Sequence, residues 1–197
     1  MSVLPIHLFG SDALRAKAKP VRSLDDSVVK LIYDMFETMR SANGIGLAAT
    51  QVGDLRRVIV IDITETEPKE EGEEVDPAKK TSPELPRTLV LINPEVVGEE
   101  GTWSMEEGCL SIPEVRADVE RAGKVRVRFR DADFREQELL MDGILARVAL
   151  HEIDHINGVL FIDRIPRPVR NTLKPQLRKI KKGEVETSYP VVNGVEV

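Results

Sequence analysis

The chain has 197 residues, of which 41% are apolar but 4% aromatic, so it is long enough for one domain whose core must be packed mainly by Val, Leu and Ile. A formal net charge of −6 argues against a molecule built wholesale to bind DNA or RNA, because a phosphate backbone selects a basic surface. The single cysteine, Cys109, excludes an intrachain disulfide, and no apolar run approaches the ~18 residues that span a bilayer.

The first nine residues lack the basic start and cleavage site of a signal peptide, so a reducing, cytoplasmic setting with no membrane contact is expected. Asp25 and Asp26 precede Val28, Ile32, Met35, Phe36 and Met39, which predicts a capped amphipathic helix ending at Asn43-Gly44. Gly44-Ile-Gly46-Leu-Ala-Ala49 matches a loose dinucleotide-binding pattern. That pattern needs a strand before it and a helix after it, and here the order is reversed, so the nucleotide reading is rejected. The glycines remain places where backbone can approach a ligand closely. Residues 57–62 and 89–92 read as buried strands. Between them lies an acidic, proline-punctuated stretch (65–86, net −5), expected to be a long solvated loop.

Lys124 to Arg130 alternates strictly, with Val125, Val127 and Phe129 on one face and Arg126, Arg128 and Arg130 on the other. Glu136 and Glu138 are placed to face those arginines across a hairpin. Asp142 then caps a helix to about Ile156, ended by Asn157-Gly158. From Arg164 to Lys182 the chain carries +8, leaving −9 on the remainder. Pro166, Pro168 and Pro175 interrupt this basic segment and argue against a single long terminal helix. Helices at both ends of a run of strands predict an α+β fold, its antiparallel sheets packed around the helix of residues 142–156.

That helix carries His151-Glu-Ile-Asp-His155, an HExxH motif. At 100° per residue the two histidines lie 40° apart and one turn along the axis, so both imidazoles can reach one metal. Glu152 projects beside them, within reach of a metal-bound water. Ile144 and Val148 continue the histidine stripe, which places the site in an apolar pocket. The alternative, two ordinary histidines on a polar face, fits poorly in a chain with three histidines. A metzincin would carry a third histidine where this chain has Phe161, and a downstream glutamate ligand would have to be Glu184 or Glu186, beyond the basic segment. The remaining soft ligand is Cys109, in Glu107-Gly-Cys-Leu-Ser111, although a lone cysteine is usually a small buried hydrophobe. A Cys/His/His set with its fourth position open would be catalytic, with Glu152 accepting a proton from water and returning it to a leaving amine. Gln51 carries an amide able to donate to a developing oxyanion, unless it is simply a surface polar residue.

Gly44-Ile-Gly-Leu-Ala-Ala-Thr-Gln51, Glu107-Gly-Cys-Leu-Ser111 and His151-Glu-Ile-Asp-His155 together resemble the three motifs of peptide deformylases, in their usual order. The resemblance implies a metal-dependent hydrolase that removes the N-formyl group from the initiator methionine of new polypeptides. It implies Cys109, His151 and His155 as metal ligands and Glu152 as acid/base. Gln51 and the Leu110 N–H would be the oxyanion donors, each such donor being typically worth ~2.7–4 kcal/mol. It further implies a methionine pocket at Ile45, Ile144 and Val148, strand-like pairing of substrate backbone with Gly46 and Gly108, and Arg116 further along the peptide. The metal expected is Fe2+, with Zn2+ or Ni2+ as substitutes. Residues 1–165 would be the catalytic domain of a monomer. Residues 166–197 would be a basic extension able to touch the ribosome. An endopeptidase using the same helix, or a non-catalytic relative with a closed structural metal, are the competing expectations.

Overall fold

The computed structural model describes residues 2–64, 66, 81, 82 and 84–193. In chain order the elements are β1 (Ile6–His7), α1 (Asp26–Ser41), β2 (Gly46–Ala48), β3 (Val58–Asp62), β4 (Thr88–Glu100), β5 (Trp103–Cys109), β6 (Ile112–Arg121), β7 (Lys124–Arg130), β8 (Glu136–Asp142), α2 (Gly143–Ile156), α3 (Phe161–Arg164), α4 (Arg167–Lys181) and β9 (Val191–Val192). Five strands form one antiparallel sheet in the order β2-β3-β4-β7-β8.

β3 shows why the sheet sits between two helices. Its alternate residues face opposite ways: Ile59 and Ile61 join the core around α2, while Val58 and Val60 join the core under α1. α1 begins as its sequence dictates, with the Asp25 carboxylate accepting from the Val28 N–H at 3.0 Å. It stops where Asn43 turns left-handed, at φ 53°. β7 buries Val125, Val127 and Phe129 and exposes Arg126 and Arg128. Its register sets Arg128 opposite Glu138 and Arg130 opposite Glu136, as the alternation predicts. β5 and β6 form a separate hairpin with Leu110 and Ser111 at its tip. Ile112, Val115 and Val119 of β6 pack on Leu160, Phe161 and Ile162 and on Leu177 and Ile180 of α4. The fold is therefore α+β with mainly antiparallel sheets; β1 and β9 add one parallel pair.

Two local expectations are corrected. Asp142 occupies the N-cap position of α2, but its side chain makes no cap hydrogen bond. Its carboxylate instead accepts from the Ser82 N–H at 2.8 Å, and the Leu145 N–H donates to Thr81 Oγ1 at 3.2 Å. The cap thus comes from the far end of the acidic stretch, most of which (67–80) lies outside the described residues. The prolines, likewise, do not divide the basic segment, since α4 is a single 15-residue helix. Pro166 stands at the N-cap and Pro168 in the first turn, where an N–H has no helical partner to lose. Pro175 alone removes an interior bond, and the burial of Leu177 and Ile180 offsets that loss. α4 is consequently part of the packed body.

Candidate metal centre

Every residue of α2 except Ile144 is buried, so each polar side chain on it must find a partner or be held for chemistry. Arg147 donates to Glu107 Oε1 at 2.9 Å and to the Val119 and Trp103 carbonyls, each at 2.8 Å. Asp154 accepts from Arg121 at 2.7 Å and from Arg164 at 2.5 Å. His151 Nδ1 lies 2.9 Å from Glu107 Oε2. Glu152 Oε2 and His155 Nδ1, together with Arg147 Nε, are the atoms on α2 that are buried without a hydrogen-bond partner.

The β5–β6 hairpin delivers the remaining donor. Cys109 closes β5, and its Sγ lies 3.2 Å from His155 Nε2. The histidine rings meet edge-on with centroids 4.9 Å apart. One ligand atom each from Cys109, His151 and His155 falls within 4.8 Å of the others. A zinc ion with an S bond of ≈ 2.3 Å and an N bond of ≈ 2.0–2.1 Å in tetrahedral geometry would hold its S and N donors about 3.6 Å apart. The Cys109–His155 separation is close to that value and the other donors lie within 4.8 Å, so the three can close on a single transition-metal ion. Among the described residues no other group of three such donors comes together, and neither Glu184 nor Glu186 belongs to this one. Phe161, at the position where a third histidine would stand, stacks on His151 at 6.4 Å.

The electrostatics suit that ion. Burial disfavours charge on His155, and the neighbouring His151 adds to the effect, so its imidazole stays neutral with a lone pair to give. Burial also disfavours charge on His151, but hydrogen bonds to Cys109 and Glu107 outweigh it and raise the pKa, so a metal there competes with a proton. Glu107 itself is held below the usual carboxylate range. Burial pushes it up, but hydrogen bonds from His151 and Arg121 dominate. Burial, opposed by the charges of His151 and Arg121, lifts Glu152 to about 7, a value suited to taking and returning a proton near neutrality.

A cleft of about 570 Å³ opens beside these groups. Ile45, Gly46, Gln51, Gly108, Leu110, Arg116, Ile144 and Val148 all line it, with Cys109, His151 and Glu152; His155 lies behind them, 1% exposed. Gln51 is not a surface residue, being 1% exposed. Its Oε1 accepts from the Ala48 N–H at 2.8 Å, which turns Nε2 toward Cys109 Sγ (3.7 Å) and Ser111 Oγ (3.3 Å). Arg116 is exposed, 3.6 Å from Glu106. The reason for glycine at position 46 proves to be internal: a Cβ there would lie 2.6 Å from both Glu152 Oε1 and Val148 Cγ1. At Gly108 a Cβ would come no nearer than 3.6 Å to Arg116.

Sequence reasoning gave no role to Glu107, although a signal was present. Glu107 stands two residues before Cys109 on a strand, the spacing that puts two side chains on one face. Arg121, Arg147 and Tyr189 carry no comparable local signal. Tyr189 donates to the Leu110 carbonyl at 2.8 Å across 79 residues of chain.

Comparison with known proteins adds to this geometry. The family model described as polypeptide deformylase matches residues 3–171. A peptide deformylase of Salinibacter ruber is 46% identical over 191 residues, 96% of this chain and 94% of that relative. One from Chlorobium limicola is 42% identical over 195 residues, 99% of this chain and 98% of its own. Among solved structures, a peptide deformylase from Legionella pneumophila superposes with a TM-score of 0.77 at 38% identity, covering 93% of this chain and 98% of that one. A peptide deformylase from Synechococcus elongatus in complex with actinonin gives 0.76 at 39% identity, covering 98% of this chain and 94% of that one.

Proposed function

Because the chain belongs to the peptide deformylase family, and so removes the N-formyl group from the initiator methionine of new polypeptides, we propose that Cys109, His151 and His155 hold the metal this hydrolysis requires. The observation that carries the reading is the convergence, on one side of α2, of three ligand atoms within 4.8 Å and a buried carboxylate oxygen without a partner. When bound, the metal supplies Lewis acidity, which lowers the pKa of water and polarises the formyl carbonyl.

The chain's own residues do the rest. Glu152 takes the proton of the attacking water as that oxygen adds to the formyl carbon. It returns the proton to the amine nitrogen as the C–N bond breaks, releasing formate and a free N-terminus. Gln51 Nε2 and the Leu110 N–H are the donors for the developing oxyanion; Gln51 is preorganised because its other amide atom is already engaged with Ala48. Ile45, Ile144 and Val148 supply the apolar wall for the methionine side chain. Gly46 and Gly108 offer main-chain groups to an extended peptide, and exposed Arg116 lies further along it. Glu107 locks the His151 ring by engaging Nδ1, leaving Nε2 to face the metal.

Thiolate and imidazole donors accept Fe2+, Zn2+ and Ni2+ alike. Fe2+ is the native metal in this reading, with Zn2+ or Ni2+ as substitutes. In this reading the enzyme acts on nascent chains as a cytoplasmic monomer, residues 1–165 carrying the metal ligands, Glu152 and the oxyanion donors, with α4 and the segment after it packed against them. No helix among the described residues is long and apolar enough to cross a membrane. The basic segment 166–197 meets the ribosome through the exposed Arg167, Lys174 and Arg178 of α4.

The test is Glu152→Ala. It retains the metal and loses formate release from a formyl-methionyl peptide, while the wild-type enzyme leaves casein uncut. Full activity in the variant would overturn the assignment.

A further inference from the structure

The segment that follows α4 is folded back across the cleft. Gly183 turns left-handed at φ 73°, and a Cβ there would lie 2.6 Å from Asn193 Nδ2, so the two ends of the segment meet. Near its far end, β9 is pinned beside β1: the Ile6 N–H donates to the Pro190 carbonyl and the Leu8 N–H to the Val192 carbonyl, both at 2.9 Å. Thr187 Oγ1 donates to the Tyr189 carbonyl at 2.8 Å and closes a turn between these anchors. Residues Glu186 to Tyr189 form one wall of the cleft that holds Cys109 and Glu152.

The tip of the β5–β6 hairpin is gripped from outside at three points. Gln51 Nε2 donates to Ser111 Oγ at 3.3 Å, the Phe9 N–H to the Ser111 carbonyl at 2.8 Å, and the Tyr189 hydroxyl to the Leu110 carbonyl at 2.8 Å. Of these, the Tyr189 bond reaches Leu110 itself. Leu110 follows the thiolate ligand directly and offers its N–H on the other side of the same residue. An oxyanion donor works only within 2.7–3.1 Å of where the charge develops, so a two-residue turn free to rock would waste it.

We propose that Tyr189 is a positioning residue for deformylation: from the C-terminal strap, its hydroxyl fixes Leu110 so that the N–H meets the oxyanion. This inference rests on the reading of Gln51 and Leu110 as oxyanion donors. Its function is confined to the transition state, because a formyl oxygen in the ground state carries little charge.

Tyr189→Phe keeps the ring and deletes the hydroxyl. The expected result is a kcat for a formyl-methionyl peptide lowered about 5- to 30-fold, with KM within about 2-fold and metal content unchanged. Gln51→Ala is measured in parallel, with an expected loss of about 100-fold or more. If Gln51→Ala loses activity but Tyr189→Phe keeps its kcat, the strap has no catalytic part and the proposal fails while the oxyanion reading stands. If both variants keep their kcat, the oxyanion reading fails and takes the proposal with it. A Tyr189→Phe protein that only melts earlier, or that loses its metal, also overturns the proposal, because the hydroxyl would then serve stability or the ligand and not the donor.

Discussion

Gly46→Ala is the smallest change that should strike the catalytic carboxylate without touching it in sequence. The new Cβ would sit 2.6 Å from Glu152 Oε1, 2.6 Å from Val148 Cγ1 and 3.0 Å from Glu152 Cγ, where ordinary contacts begin at 3.4 Å. Relief needs about 0.8 Å of movement. Glu152 and Val148 stand one turn apart on the same buried helix, so swinging one side chain aside does not free the other. Overpacking of this kind typically costs ~1–3 kcal/mol, a fall in Tm of about 2–12 °C for a chain of this size. A misplacement near 1 Å of a reacting group costs about 100-fold in rate. Gly46→Ala should therefore melt earlier and lose kcat by that order, read from thermal melts and from formate release. Gly108→Ala, whose nearest contact would be an ordinary 3.6 Å, should stay close to wild type in both. A Gly46→Ala enzyme within about 1 °C and about threefold of wild type would refute the close approach of α2 to β2.

Three further outcomes follow from named contacts. Arg121→Leu leaves the buried Glu107 and Asp154 carboxylates without their shared cation, so unfolding in urea should show a loss of ~3–5 kcal/mol; an unchanged midpoint would contradict the pairing. Glu107→Gln weakens the grip on His151 Nδ1 and should lower metal affinity about 10- to 100-fold in a chelator competition. Equal affinity would show that the ring is oriented by something else. Ribosome contact is best tested by reversing Arg167, Lys174 and Arg178 to Glu, because truncation after Ile165 would strip Leu177 and Ile180 from the core. Co-sedimentation should fall, and more steeply with salt in the wild type, while turnover on a short peptide holds. Undiminished co-sedimentation would exclude α4 as the contact.

What could be read from the chain alone follows the range of the forces involved. The pair His151 and His155 is legible because the period of a helix fixes their separation, and the β7–β8 register because alternation fixes faces. Cys109 was reachable because it is the only cysteine. The contribution of Thr81 to the cap of α2 was not, since its partner Leu145 lies 64 residues away and the local pattern at Asp142 already looked sufficient. α4 is not legible locally, because helix propensity weighs each proline by itself whereas the burial of Leu177 and Ile180 decides the matter. The Glu107–Arg121–Asp154 network and the Tyr189 contact depend on residues 14 to 79 positions apart, which no periodicity encodes. Gly46 lines the cleft, and the close approach of Glu152 and Val148 is a second reason for glycine there that no local pattern encodes.

The central claim, that one metal held by Cys109, His151 and His155 carries out deformylation, is tested most directly by measuring the metal-to-chain ratio together with formate release, in the wild type and in Cys109→Ala. The wild type should carry about one transition-metal ion per chain, and the variant should lose both metal and formate release. A wild-type enzyme that releases formate with no metal, or a Cys109→Ala enzyme that keeps both, would contradict it.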